Sequence, residues 1–174
     1  MKNNYILKFK IIFFLIFFNI NNSIAEDLLI DAKEIDIKEQ GNLILASGTV
    51  NISDTNKIQI SGDRAKYNKT NEIVEIVGNV FFWDKEKNFK AKSDKIIYDK
   101  KNNIISTFKD TYVSFLDTND NIKFEARGNE SFFNKKKKIF EIKNNVTLKD
   151  NLNNYSIYSE KIIYLQIDDI FKSI

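Results

Sequence analysis

The sequence predicts an all-β fold, an elongated antiparallel sandwich or jelly roll, with a parallel β-helix as the alternative. Three observations predict it. A unit of about 30 residues recurs through the chain. Inside each unit apolar residues alternate at period two, the mark of half-buried strands. Polar turn residues fall at matched places in every unit, while no helix-period segment of useful length occurs after residue 26 and proline is absent. Units of this length stack, because none can bury its apolar face alone. The β-helix is disfavoured because its rungs normally carry shorter strands and more glycine than the 5 present.

Taken in order, Ile35-Asp36-Ile37 is a weak first copy of a phrase that returns as Ala65-Lys66-Tyr67-Asn68, Ile96-Ile97-Tyr98-Asp99, Phe132-Phe133-Asn134 and Ile162-Ile163-Tyr164. After each of the first four comes a polar turn: Lys38 to Asn42, Asn68 to Asn71, Asp99 to Asn103, and Asn134 to Lys138. Asn, Asp and Gly suit such turns because they bond the local backbone or tolerate positive φ. Next is an apolar-alternating strand, with Ile44, Ala46, Gly48, Val50 and Ile52 on one face in the first unit. The second gives Val74, Ile76, Gly78, Val80 and Phe82, and the fourth Phe140, Ile142, Asn144, Val146 and Leu148. The third is less regular, with Ile105, Thr107, Val113 and Phe115 in phase around Lys109, which predicts a bulge or loop there.

Each of these strands carries an anchor: Gly48-Thr49-Val50, Gly78-Asn79-Val80, Asp110 through Val113, and Asn144-Asn145-Val146. An aspartate comes four residues after each anchor valine, at Asp54, Asp84, Asp117 and Asp150, and opens the second turn of the unit. One unit is therefore two strands and two turns.

Residues 1–25 read as a cleaved signal peptide, leaving 26–174 as the mature domain. Lys2, Lys8 and Lys10 precede the apolar run Ile11 to Phe18, and Ser23-Ile24-Ala25 offers small residues before Glu26. That run is too short to span a bilayer, which needs ~20 residues. Removing the segment takes three lysines from the 27 basic side chains and none from the 24 acids, so the mature part is neutral. Neutrality argues against nucleic acid as a partner, because its backbone demands a basic face. With no cysteine and no histidine, a thiolate site, a disulfide scaffold, the usual general base and the usual zinc ligand are all excluded. No catalytic residue, metal site or cofactor is assigned.

Ala91-Lys92-Ser93-Asp94-Lys95-Ile96-Ile97-Tyr98-Asp99, with Asn103-Ile104-Ile105 after it and Gly78-Asn79-Val80 before it, resembles the repeat of the LptA/OstA family of lipopolysaccharide-transport bridge proteins. That family includes the related N-terminal domain of the outer-membrane lipopolysaccharide-assembly barrel. The pattern covers almost the whole mature chain, from about Leu28 to Tyr164. Departures are Asp110 and Asn144 in place of the anchor glycine, and Ile37-Lys38 in place of the first Tyr-Asp pair.

The resemblance implies a twisted β-jelly roll, open along one side, whose apolar interior takes the acyl chains of lipopolysaccharide. Each buried CH₂ is worth about 0.8 kcal/mol, so carriage through water requires a continuous apolar groove. Its expected lining is Ile44, Val50, Ile52, Val74, Ile76, Val80, Phe82, Val113, Phe115, Phe140, Ile142, Val146 and Leu148. The bland alternative is that these side chains fill a closed core. The expected function is a periplasmic, non-enzymatic carrier bridging the inner and outer membranes. Its first-unit edge would face the inner-membrane transport complex and its last-unit edge the outer-membrane assembly barrel, with head-to-tail self-association through edge strands.

Other signals read blandly. Lys135 to Lys138 fall at a turn position and read as a solvated hairpin tip. Asp94 with Asp99, and Glu34 with Asp36, recur at turns and read as structural rather than as glycosidase carboxylates. Trp83, Phe81 and Phe82 could stack on sugar but equally suit a packed strand. After Ile162-Ile163-Tyr164 no second strand is predicted, so the fifth unit reads as an open edge or as part of a longer protein, the N-terminal domain of the barrel being one possibility. An alternative of another class is a secreted β-repeat adhesin.

Overall fold

The computed structural model describes residues 28–55 and 57–174. The expected signal peptide lies outside the described residues. Eleven strands run in order along the chain: β1 (Leu29–Asp31), β2 (Glu34–Lys38), β3 (Leu43–Asp54), β4 (Ile58–Asn68), β5 (Ile73–Asp84), β6 (Phe89–Asp99), β7 (Ile104–Leu116), β8 (Ile122–Asn134), β9 (Ile139–Asp150), β10 (Tyr155–Leu165) and β11 (Ile170–Ser173). From β3 to β11 each strand pairs antiparallel with its neighbour in sequence. β1 and β2 share the outer edge of β3. The antiparallel jelly roll is therefore the fold, and the β-helix is ruled out because every pairing among the described residues is antiparallel. Two strands went unpredicted. The three-residue β1 carries little pattern, and β11 adds a short strand where the fifth unit was expected to stop.

Each long odd-numbered strand is creased at its anchor. Two successive residues enter the left-handed region: Gly48 and Thr49 (φ 79° and 64°), Gly78 and Asn79 (81° and 49°), Lys109 and Asp110 (65° and 45°), Asn144 and Asn145 (65° and 56°). The strand register shifts at these places, as between Val77 and Val80. The bulge expected only in the third unit is thus present in all four. Glycine and asparagine tolerate positive φ at low cost, which accounts for their recurrence there. Gly48 and Gly78, expected as inward members of an unbroken strand, sit instead on the crease. Because each kink takes up two residues, the strand beyond it keeps its phase.

The crease folds one sheet onto itself. In the ladder, Phe89 of β6 pairs with Phe115 of β7, which pairs with Phe124 of β8. Phe133 lies nine residues further along β8, about 30 Å away on a straight strand. Its ring is nevertheless 4.9 Å from that of Phe89. Phe115 and Phe140 meet the same way at 5.3 Å. Only a folded sheet makes these contacts, and its two halves enclose one aromatic core.

Both rows of turns are built from the residues that marked them. Asp84 Oδ1 accepts from Lys87 N at 3.0 Å and Asp150 Oδ1 from Leu152 N and Asn153 N at 2.9 Å. At the other end Asp99 Oδ1 accepts from Asn102 N at 2.9 Å and Asn134 Oδ1 from Lys137 N at 2.9 Å. Successive turns are also laced together, Lys85 N donating to Lys57 O and Leu116 N to Asn88 O, both at 2.8 Å.

Candidate functional site

The inward faces of the folded sheet form one continuous apolar column. Of the predicted lining, Val50, Ile52, Val74, Ile76, Val80, Phe82, Val113, Phe115, Phe140, Ile142, Val146 and Leu148 are all buried in a single cluster. Ile44 is half-buried against it, near the β1–β2 end. These positions therefore share one inward-facing cluster. In this structure side chains fill the interior, with Phe82, Phe89, Phe124, Phe133 and Phe140 among its largest fully buried members.

Half of that interior was missing from the predicted lining. The even-numbered strands contribute Ile58, Ile60, Phe89, Ala91, Ile96, Tyr98, Phe124, Ala126, Phe133, Ile162 and Tyr164. Each of these strands carries a single extra residue at its bulge: Asp63, Asp94, Asn129 and Glu160 mark the places. One extra residue reverses which parity points inward. Phe89, Ala91 and Ser93 face in before Asp94, and Ile96 and Tyr98 after it. A strict period-two reading stops at that switch. The signal was nonetheless in the chain, as an apolar pair at one parity and a second pair five residues on at the other.

Folding the sheet also brings the two rows of turns face to face along a seam, and the seam is polar. Lys135 Nζ, from the turn after β8, lies 2.6 Å from Asp84 Oδ2 at the end of β5, both side chains being buried. Asp84 Oδ2 thus faces the Lys135 ammonium across the seam. Lys135 was expected at a solvated tip; Lys136, Lys137 and Lys138 are exposed, but Lys135 turns inward. Nearer β11, Lys123 Nζ meets Asp169 Oδ1 at 2.7 Å, and Tyr164 Oη donates to the same carboxylate at 2.8 Å. These bonds, Lys123 first and then Tyr164, hold the Asp169 carboxyl below its ordinary range. A cleft of about 410 Å³ lies between the rows, with Lys101 and Lys135 on one side and Asp54, Lys57, Asp84 and Glu86 on the other.

A second polar element sits at the crease. Thr107 Oγ1 is 2.7 Å from Thr111 Oγ1 and 2.8 Å from Ser131 Oγ, and it accepts from Ser131 N at 3.0 Å. All three residues are buried. The third unit has no anchor glycine, and this hydroxyl chain satisfies polar groups that its kink would otherwise strand.

No group of side chains that could hold a metal ion occurs among the described residues. The paired acids serve the turns and bulges: Asp99 caps a turn, and Asp63 accepts from Asn79 Nδ2 at 3.2 Å. With the geometry in place, comparison with known proteins is decisive at the level of family. Residues 30–151 match the family model for lipopolysaccharide-assembly, LptC-related proteins. The chain belongs to this family. The LptC-related match runs from β1 to the turn after β9 and so takes in all four creased anchors. Among solved structures, the chain resembles the crystal structure of LptH, the LptA-homologous periplasmic component of the lipopolysaccharide transport device of Pseudomonas aeruginosa. The superposition gives a TM-score of 0.51 at 14% identity, over 85% of this chain and 82% of that one. At that identity the likeness shows a shared fold. No curated protein sequence matches the chain.

Proposed function

We propose that this LptC-related protein is a non-enzymatic periplasmic carrier of lipopolysaccharide, holding acyl chains between the two halves of its folded sheet. The observation that carries the reading is the unbroken apolar column through β3 to β11, enclosed by a sheet whose far side is a seam of polar contacts. A two-halved sheet can exchange its own side-chain contacts for acyl contacts when the seam parts, and the exchange conserves buried apolar area. The lining assigned to lipid is the predicted set from Ile44 to Leu148, together with the inward residues of the even strands.

The edges of the sheet serve assembly. Among the described residues β1 and β2 leave one edge unpaired and β11 the other, and such edges add strands from partners. On this reading the β1–β2 edge docks the inner-membrane transport complex. The β11 edge docks a second copy or the outer-membrane assembly barrel.

Photo-crosslinking tests the carrier reading. A photoreactive residue at Val80 or Ile142, in cells making lipopolysaccharide, is expected to yield lipopolysaccharide adducts. Absence of adducts at every inward position sinks the reading and favours the adhesin.

A further inference from the structure

We propose that the outer face of β3 to β6 binds an acidic oligosaccharide, at a site built on Phe81 and Trp83 and distinct from the apolar interior. The register lays out two parallel rows across four strands. One runs Asn51, Ser61, Phe81, Lys92, and the other Ser53, Gln59, Trp83, Lys90. Each row thus carries polar side chains, then an aromatic ring, then a lysine.

A cavity of about 310 Å³ lies against the β3–β4 side of these rows, lined by Asn51, Ser53, Gln59, Ser61 and Phe81 with Ile52 and Ile60 between them, and Trp83 and the lysines stand beyond it. Sugars offer an apolar C–H face and a rim of hydroxyls. A half-buried aromatic ring beside amide and hydroxyl groups matches both.

Charge selects the acidic kind. Lys85 Nζ and Lys90 Nζ stand 4.9 and 4.7 Å from the centre of the Trp83 ring. Among the described residues neither they nor Lys92 forms an ion pair. A carboxylate or phosphate would therefore find cations whose charge is not already answered.

Trp83 adds an independent observation. Its Nε1–H is buried and, among the described residues, has no hydrogen-bond partner. Native proteins rarely strand such a donor. An anionic sugar that drew the lysine ammonium groups off the ring would uncover its stacking face and bring acceptor oxygens beside this donor.

The occupant is a separate glycan chain, not the sugar portion of a lipid carried inside. Ile52, Ile60 and Phe82 point into the core, whereas their neighbours Ser53, Gln59 and Trp83 point out on the same strands, so the sheet itself divides the two sites.

The test is retention on an array of lipid-free neutral, carboxylated and phosphorylated oligosaccharides, then titration read through the fluorescence of Trp83, the single tryptophan. Retention of the acidic members and a saturable change in emission are expected. The double variant Lys90→Gln/Lys92→Gln should bind about tenfold more weakly, Lys90→Arg should bind as the parent does, and both should keep the parent's melting temperature. Failure to retain any acidic saccharide, equal retention of neutral ones, or undiminished binding by the double variant each overturns the site. The double variant is also assayed for crosslinking of lipopolysaccharide from Ile142. Unchanged adducts are expected, and a parallel loss refutes a separate glycan. Loss of adducts in the parent protein itself would strike only the carrier reading.

Discussion

Lys135 and Asp84, which belong to opposite rows of turns, form a buried ion pair of 2.6 Å that ties the folded sheet shut near its middle. Removing one partner of a buried pair leaves the other charge uncompensated, a loss of roughly 3–5 kcal/mol. Lys135→Met is therefore expected to lower the urea midpoint strongly. Exposed pairs contribute little, about 0–1 kcal/mol, so Lys38→Met, which breaks only the surface pair with Asp36, should leave the midpoint nearly unchanged. Equal effects of the two substitutions would show that the seam pair does not hold the halves together.

Gly78 is fixed by two demands at once. Its φ is 81°, and a Cβ there would overlap the carboxylate of Asp63 on β4. Gly78→Ala should cost about 1–3 kcal/mol from the strained backbone alone, and more from the overlap. Adding Asp63→Ala removes the carboxylate but leaves the Cβ at position 63, 2.9 Å away, so it should recover part of the second contribution and none of the first. Thermal melts of the single and double variants separate the two contributions.

Thr107 is the hub of the hydroxyl chain at the crease. Thr107→Val keeps the shape but strands Ser131 N, and leaves Thr111 Oγ1 and Ser131 Oγ without that partner. A buried polar group left unpaired costs about 1–3 kcal/mol. Thr107→Ser retains the hydroxyl and should lose less. If valine proves as stable as threonine, the chain is dispensable.

Tyr112 gives the fold an alkaline limit. Burial, then its hydrogen bond of 2.6 Å to Glu125, pushes its pKa up to about 12. The folded pKa lies above the unfolded one, so Tyr112 contributes stability that is fully present below about pH 10 and lost as pH rises towards 12. Tyr112→Phe should flatten the stability profile across that window. Absorbance titration of the tyrosines should then lose one late-titrating group.

Much of this architecture was legible because repetition made weak signals agree. Asp54, Asp84, Asp117 and Asp150 each marked a turn, and each of them accepts backbone hydrogen bonds in one. The inward positions of the odd strands were readable because a kink of two residues preserves parity. The even strands were not, since the single extra residues at Asp94 and its counterparts reverse parity, so Phe89, Tyr98, Phe124 and Phe133 went unassigned. Nor did Lys135 differ in sequence from Lys136, Lys137 and Lys138. Its burial depends on Asp84, fifty-one residues earlier, and a contact across a folded sheet leaves no local pattern.

The crease itself carries a consequence for how such a protein can change in size. All four kinks fall at the same step of the unit, so they lie side by side and the fold line runs straight across the strands. Inserting or deleting one whole unit would move no kink out of line with its neighbours and would disturb no turn ladder beyond the junction. The length of the interior is thereby set independently of its cross-section, by the number of units alone. A lineage could match the protein to a wider or narrower gap by duplication, without redesigning the core.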